Sequence, residues 1–247
     1  MFAIYKKELR AYFATPVGYV YAGVFLAVAA FICMYTTLQQ ASYNTTSYFQ
    51  FLLFTFIVLI PLLTMRLFSE ERKTRTEQLL LTSPVTITGM VLGKYFAAFS
   101  LFAATVLASC LNFLPLLGYT IKEQAAATAD THIGPVGGQV LGCLIGILLI
   151  GAAFIAIGLF ISSLTENQLA AAIITIGVLA VLLFSGAAAS LVNSTATRTV
   201  LDFISVLSRY DNFSLGLFDF SALLYYVSIC GVFIFLTVRV YDKRRWG

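Results

Sequence analysis

The chain has 247 residues, of which 60% are apolar and only 11% charged, with 22 Phe, 13 Tyr and one Trp. About a quarter of an average soluble protein is charged, so this composition cannot cover a water-facing surface and excludes a soluble globular enzyme. The net charge of +4 is too small to indicate nucleic acid as a partner. Asp, Glu, Lys and Arg are absent from 11–65, 95–121, 131–165, 167–197 and 220–238. A bilayer-spanning helix needs about 20 mostly apolar residues. The first stretch holds two such helices and each other stretch holds one. The expected fold is therefore an all-α integral membrane protein with six transmembrane helices.

Residues 1–14 open the chain. Phe2, Tyr5, Leu9 and Tyr12 or Phe13 recur at helical spacing, while Lys6, Lys7, Glu8 and Arg10 take the other face. That pattern predicts an amphipathic helix lying in the membrane interface, its basic side chains towards lipid headgroups. Pro16 suits a first helical turn, and span one follows over about 17–38. A basic start before an apolar run is signal-peptide-like. This run is span-length and lacks a small-residue cleavage site, so it reads as a retained span.

Span two covers about 49–66 and ends at Arg66. Ser69 is placed to cap a helix, Glu70 and Glu71 suit its first turn, and Glu71 with Arg75 makes an i,i+4 pair in the favourable order. Pro84 forces Ser83 out of helical geometry. A short helix over about 70–81 is predicted, charged early and ending in Leu79, Leu80 and Leu81. It is either a solvated loop element or a docking helix for a cytoplasmic partner.

Span three covers about 88–118, its apolar core running from Tyr95, so that Lys94 counts with the inner loop. The loop from Tyr119 to Gly138 carries Lys122, Glu123, Asp130 and His132. Span four, about 139–163, is glycine-rich, and Gly142 with Gly146 forms a small-xxx-small pair for close helix approach, within the chain or against a second copy. Only Leu164 to Asn167 separates it from span five at about 168–192. The segment Asn193 to Ser221 carries Val200, Leu201, Ile204 and Leu207, a pattern for a helix on or dipping into the outer leaflet, or for a connector. Span six covers about 222–240, and a basic tail follows.

Orientation follows from Lys and Arg in the loops. With the N-terminus inside, the inner segments hold twelve of the 15 and the outer loops three, Lys122, Arg198 and Arg209. Both termini are thus expected in the cytoplasm of a cell carrying this chain in its inner membrane. No loop is long enough to fold alone, so the chain reads as one transmembrane domain, 1–247.

Catalytic, metal-binding and cofactor-binding residues are not expected. The span cores lack ionisable groups, against a proton- or ion-coupled transporter. The single His132 lies in a loop, and Cys33, Cys110, Cys143 and Cys230 fall inside spans as small apolar residues. Ser162 and Ser163 are expected to pack or bond back to their own helix. The segment Gly89 to Lys94 is one residue short of a phosphate-binding loop, with Tyr95 where the Mg²⁺-binding Ser or Thr belongs. Any ATP use falls to a partner.

The run Ser69-Glu70-Glu71-Arg72-Lys73 … Thr76-Glu77-Gln78-Leu79-Leu80-Leu81-Thr82-Ser83-Pro84-Val85 … Val91-Leu92-Gly93-Lys94-Tyr95 resembles the intracellular loop of ABC type-two permeases. Those carry a similar E-x-x-x-G-T-x-E-x-L-L-x-x-P followed by L-G-K; Arg75 stands where the family usually has Gly. Residues Phe235 to Val240 with Lys243 to Trp246, Ile157 to Gln168, and Ile4 to Leu9 resemble the gliding-motility-associated branch of bacterial permeases. The resemblance implies a non-catalytic, exporter-like permease subunit. It would pair with a second permease copy, as homodimer or heterodimer, above cytoplasmic ATP-binding subunits that hold ATP and Mg²⁺. It implies a coupling helix whose contacts are Glu70, Glu71, Arg72, Thr76, Glu77 and Leu80. A smaller contact falls at Thr165, Glu166 and Asn167, and a re-entrant pair precedes span six. The complex either moves an unidentified substrate or transmits force to an extracytoplasmic auxiliary protein without passing solute.

Overall fold

A computed structural model describes residues 1–38, 45–78, 86–115, 137–191, 198–199, 201 and 205–246. Its elements in chain order are α1 (Phe2–Ala14), α2 (Pro16–Cys33) running into a π turn (Met34–Leu38), α3 (Thr46–Thr64) and α4 (Arg66–Lys73). Then come α5 (Ile87–Ser109) with a 3₁₀ turn (Cys110–Phe113), α6 (Gly137–Leu164), α7 (Gln168–Leu191), α8 (Val206–Ser214) and α9 (Phe220–Trp246). The described residues form helices and no strand. Six helical stretches are long and apolar enough to cross a membrane: Pro16–Thr37, Thr46–Lys73, Ile87–Phe113, Gly137–Leu164, Gln168–Ala189 and Phe220–Arg245. The expected all-α, six-span membrane fold is the one observed. Six crossings bring α1, α4, the α6–α7 turn and the end of α9 to one end, here called the basic end.

Thr15 makes the corner between α1 and α2. Its backbone is extended, and Pro16 then starts α2 with its φ already fixed and no N–H to satisfy. The buried side chains of α1 are Ile4 and Tyr12, whereas Phe2 and Phe13 are exposed. Glu8 lies between Ile4 and Tyr12 on this inward line, with a side chain only 13% exposed. The expected face is therefore rotated: Glu8 belongs with the buried residues and not with Lys6 and Arg10. The reason is a buried partner on α5, described below.

Helix α6 is the centre of the bundle, packing against α3, α4, α5, α7, α8 and α9. Of its most apolar stretch 67% is buried, against 28% in α2 and in α7, so α6 is the helix the others surround. Its glycines explain how closely they approach. Gly142 and Gly146 face α8 of the same chain: a Cβ at Gly146 would stand 3.0 Å from the Tyr210 ring, and one at Gly142 would collide with the Phe213 carbonyl.

Helix α8 lies within the segment before span six. Ser205 caps it, its Oγ accepting the Ser208 N–H at 3.3 Å. Tyr210 and Phe213 are fully buried, and the Tyr226 hydroxyl of α9 donates to the Val206 carbonyl at 2.9 Å. Past α8, the Asp219 carboxylate accepts from Asn212 Nδ2 at 2.9 Å and from the Ser221 N–H at 2.8 Å. These bonds, the Asn212 one foremost, hold its pKa below the ordinary aspartate value. The loop holding Lys122, Glu123, Asp130 and His132 lies outside the described residues. The four cysteines are free thiols, Cys33 and Cys143 buried, Cys110 and Cys230 partly so.

Seating α8 on the Gly146 face yields a measurable expectation. Gly146→Leu should displace Tyr210 and destabilise the purified protein by about 1–3 kcal/mol, the usual cost of overpacking. Gly23→Leu, where a Cβ meets nothing within 4 Å, should leave thermal unfolding in detergent unchanged. Equal melting of the two variants would rule out a packed α6–α8 contact.

Candidate functional site

Span two does not stop where its apolar run ends. Pro61 sits inside α3 and denies the preceding turn one N–H. The chain turns at Met65 and resumes at once as α4, which places Ser69 inside a helix and not at its start. In an apolar bundle every backbone group freed by such a break needs a partner. Ser162 Oγ of α6 donates to the Met65 carbonyl at 3.1 Å and accepts from the Phe68 and Ser69 N–H groups at 3.2 and 3.3 Å. Ser69 Oγ donates to the same carbonyl, and the Tyr12 hydroxyl of α1 donates to the Leu63 carbonyl at 3.1 Å. Burial pushes the Tyr12 hydroxyl well above the ordinary tyrosine range, so it stays protonated and remains a donor.

Ser162 reaches the break because Gly158, one turn earlier, has no side chain. A Cβ there would collide with the Thr64 hydroxyl. Of the serine pair, Ser163 bonds back to its own helix, at the Phe160 carbonyl, as expected. Ser162 instead ties α6 to α4.

The helix predicted over 70–81 is thus corrected. Residues 70–73 are the end of α4, and Thr74 to Thr76 form a turn. Arg75 has φ 58°, in the left-handed region that favours glycine. This is the position where the resembling permeases carry Gly. Glu77 and Gln78 are helical again, and 79–85, including Leu80 and Pro84, lie outside the described residues. The expected Glu71–Arg75 pair does not form, because the left-handed turn redirects Arg75 and a stronger partner takes Glu71.

That partner is Lys94 of α5. The sequence counts it as a loop cation, yet its side chain is 1% exposed. An ammonium has three N–H donors, and three acceptors stand around it: Glu8 Oε1 at 3.1 Å, Glu71 Oε1 at 2.9 Å and the Leu67 carbonyl at 2.7 Å. The Phe68 ring closes a fourth side at 5.0 Å. Lys7 approaches Glu71 at 3.6 Å and Glu8 at 3.9 Å, so two cations and two carboxylates balance. A polar cavity of about 250 Å³ opens beside them, bordered also by Arg66, Glu70, Thr74 and Thr76. Glu71 and Lys94, which open and close the family-like pattern, are therefore bonded to each other.

Two further guanidiniums close the C-terminus of α6. Arg72 donates to the Leu164 carbonyl at 3.0 Å and pairs with Glu166 at 2.9 Å. Arg244 of α9 donates to the Ser163 carbonyl at 2.7 Å and pairs with Glu77 at 3.2 Å. Helix C-termini carry unsatisfied carbonyls and negative dipole charge, so cations there are doubly favoured. Glu70 is held by Arg66 at 2.9 Å and is partly exposed. Thr76 is exposed. Thr165 Oγ1 bonds back to the Ile161 carbonyl at 3.2 Å, and Asn167 Oδ1 accepts the Leu169 N–H at 3.0 Å, capping α7. The structure brings Glu70, Glu71, Arg72, Thr76, Glu77 and Glu166 to one end and commits Glu71 and Glu77 to bonds within the chain. Glu8, Lys94, Ser162 and Arg244 were missed. A lysine opening an apolar helix and a glutamate on an inward helical line were the signals available.

Six apolar helices, one broken at a polar, ion-paired end, define a multi-pass membrane protein. A family model described as ABC-2 family transporter protein matches residues 33–239. The chain belongs to that family and is a permease subunit of an ABC transporter. Permease domains of this family are generally non-catalytic, and the family implies an ATP-binding partner and a dimeric arrangement. No curated protein matches the chain. The family match begins beyond α1, so the helix that supplies Glu8 lies outside it.

Lys94→Met should strand two nearly buried carboxylates and cost about 3–5 kcal/mol of stability, as broken buried pairs do. Adding Glu8→Gln and Glu71→Gln should recover most of that loss in detergent melting. A stable K94M single variant would mean that the ion pairs hold nothing together. Arg75→Gly should raise stability by about 1 kcal/mol by relieving the left-handed backbone, whereas Arg75→Val should lower it. A fall for R75G would contradict the positive φ.

Proposed function

We propose that this chain couples ATP hydrolysis in a cytoplasmic ATP-binding subunit, which holds ATP and Mg²⁺, to movement of its own spans. Its basic end then faces the cytoplasm of a cell whose inner membrane it crosses, with both termini inside. Twelve of 15 basic residues fall on that side in the expected topology, which supports this orientation. One observation carries the reading. The segment from Arg66 to Gln78 is bonded to α1, α5, α6 and α9 through Lys7, Lys94, Ser162 and Arg244, while its turn, Thr74 to Thr76, is exposed. A push on that turn reaches four other helices through short, charge-assisted contacts.

The docking contacts are accordingly reassigned from Glu71 and Glu77 to the exposed tip. Thr74, Arg75, Thr76 and Gln78 form the main surface, with Glu166 and Asn167 beside it and Arg72 linking the two. Glu70 sits at its edge, and Leu80 would extend it. Two permease copies, identical or not, would sit above two ATP-binding subunits. The resemblance of Ile157 to Gln168 and of the C-terminus to the gliding-motility-associated branch supports assigning the chain to that branch as part of this proposal.

A second reading, force transmission to an extracytoplasmic partner without solute passage, draws on the opposite end. Leu215, Leu217, Phe218 and Phe220 are each more than 60% exposed around one turn, an apolar patch suited to a partner protein or to the lipid surface.

Thr76→Trp tests the coupling reading at the cost only of exposed hydrogen bonds local to the turn, to Thr74 Oγ1 at 3.0 Å and the Glu71 carbonyl at 3.4 Å. It should reduce capture of the co-expressed ATP-binding subunit, or release its ATPase activity from the permease, with melting unchanged. Leu217→Trp at the opposite end should do neither. Intact capture and coupled ATPase activity in T76W would remove the tip as the docking element.

A further inference from the structure

A second feature of the basic end lies outside the ion pairs. Between α1 and α5 runs an open groove of about 720 Å³, walled by Phe2 and Tyr5 on one side and Phe96 and Phe99 on the other. Its floor is Ala103 and Ala104, and Leu107 stands at its far end. Two hydroxyls border it, those of Tyr5 and Ser100, and Ser100 is satisfied within its own helix by the Ala97 carbonyl at 2.9 Å. The groove is therefore predominantly apolar.

Its length and its mouth indicate what covers it. From Phe96 to Leu107 the helix rises about 16 Å at 1.5 Å per residue, roughly half of a ~30 Å hydrocarbon core. A second membrane helix would follow α5 across the whole thickness; an acyl chain ends after one leaflet. Beside the groove, on the neighbouring face of α1 with Ala3 and Ala14, stand exposed Lys6, one turn on from Phe2, and exposed Arg10. The only acid of α1, Glu8, is turned inward to Lys94. The charge offered to the surface is thus purely basic, complementary to an anionic headgroup.

We infer that this groove binds one anionic phospholipid from the leaflet on the basic side, an acyl chain between α1 and α5 and the headgroup against Lys6 and Arg10. The site is independent of the coupling reading, since it involves neither α4 nor the exposed turn. It makes the seating of α1, and through Glu8 the charge around Lys94, responsive to the lipid beside it.

Native mass spectrometry tests this on the full chain in mild detergent, after exchange with dioleoylphosphatidylglycerol or dioleoylphosphatidylcholine. The wild type should retain one phosphatidylglycerol per chain in preference to phosphatidylcholine. Ala104→Phe fills the floor at an exposed position and should lower retention about tenfold or more, since each methylene expelled from apolar contact weakens binding by roughly a factor of four. Lys6→Gln with Arg10→Gln should keep acyl binding yet reduce the preference for phosphatidylglycerol by about tenfold, from the loss of two surface cations. An unchanged melting temperature shows that A104F is folded; should it unfold, Ala104→Leu gives the same comparison with less bulk. Equal phosphatidylglycerol retention by wild type and A104F overturns the site. So does equal retention of the two lipids by the wild type. A change in dimer fraction in A104F without a change in bound lipid would assign the groove to a second chain instead.

Discussion

The buried ammonium of Lys94 sets the constraint to which the basic end of this permease conforms. A charge taken out of water is tolerable only when it is paired and its hydrogen-bonding capacity is filled. Here three donors meet three acceptors drawn from two other helices, α1 and α4. That requirement explains why α1 rolls Glu8 inward, why Glu71 ignores its own helix neighbour Arg75, and why α4 must continue directly from span two. Each of these local choices runs against the helix-level preference, and each is dictated by the same side chain.

The break at Met65 is the complementary device. After the interruption at Met65, α4 packs against α6 and α7 and brings Glu71 and the Leu67 carbonyl to Lys94 of α5. Breaking a helix at membrane depth exposes carbonyls and N–H groups that lipid cannot satisfy. Ser162, Ser69 and Tyr12 meet that need from three different elements. Gly158 is what allows Ser162 to reach. Polar satisfaction and close packing are therefore one arrangement, centred on the C-terminal third of α6, whose last carbonyls are taken by Arg72 and Arg244.

This arrangement gives physical content to the coupling proposed for this chain. A lever must be stiff where it joins the spans and accessible where it is pushed. The segment after span two has both properties, with its carboxylates locked inward and its left-handed turn outward. The carboxylates that look most suited to a partner in the sequence, Glu71 and Glu77, are those the fold bonds inward, to Lys94 and Arg244. Charge in a loop reads as available; burial of the opposite charge decides otherwise.

What was legible beforehand came from patterns that the membrane itself enforces. Charge-free stretches of span length determine six helices, and Pro16 marks where the first span begins. Those signals are local, because hydrocarbon tests every residue against the same solvent. The inward Glu8, the burial of Lys94, the interruption of the 70–81 helix at Arg75, and the seating of Gly142 and Gly146 on α8 were not legible. Each depends on a residue far away in the chain: Lys94 lies 86 positions from Glu8, and Ser162 lies 94 from Phe68. The sequence by itself determined how many times the chain crosses and which kinds of residue face lipid. Only the tertiary structure decided which charges are spent inside and which remain outside, since pairing inside a low-dielectric bundle is settled by distance in space and not by spacing along the chain.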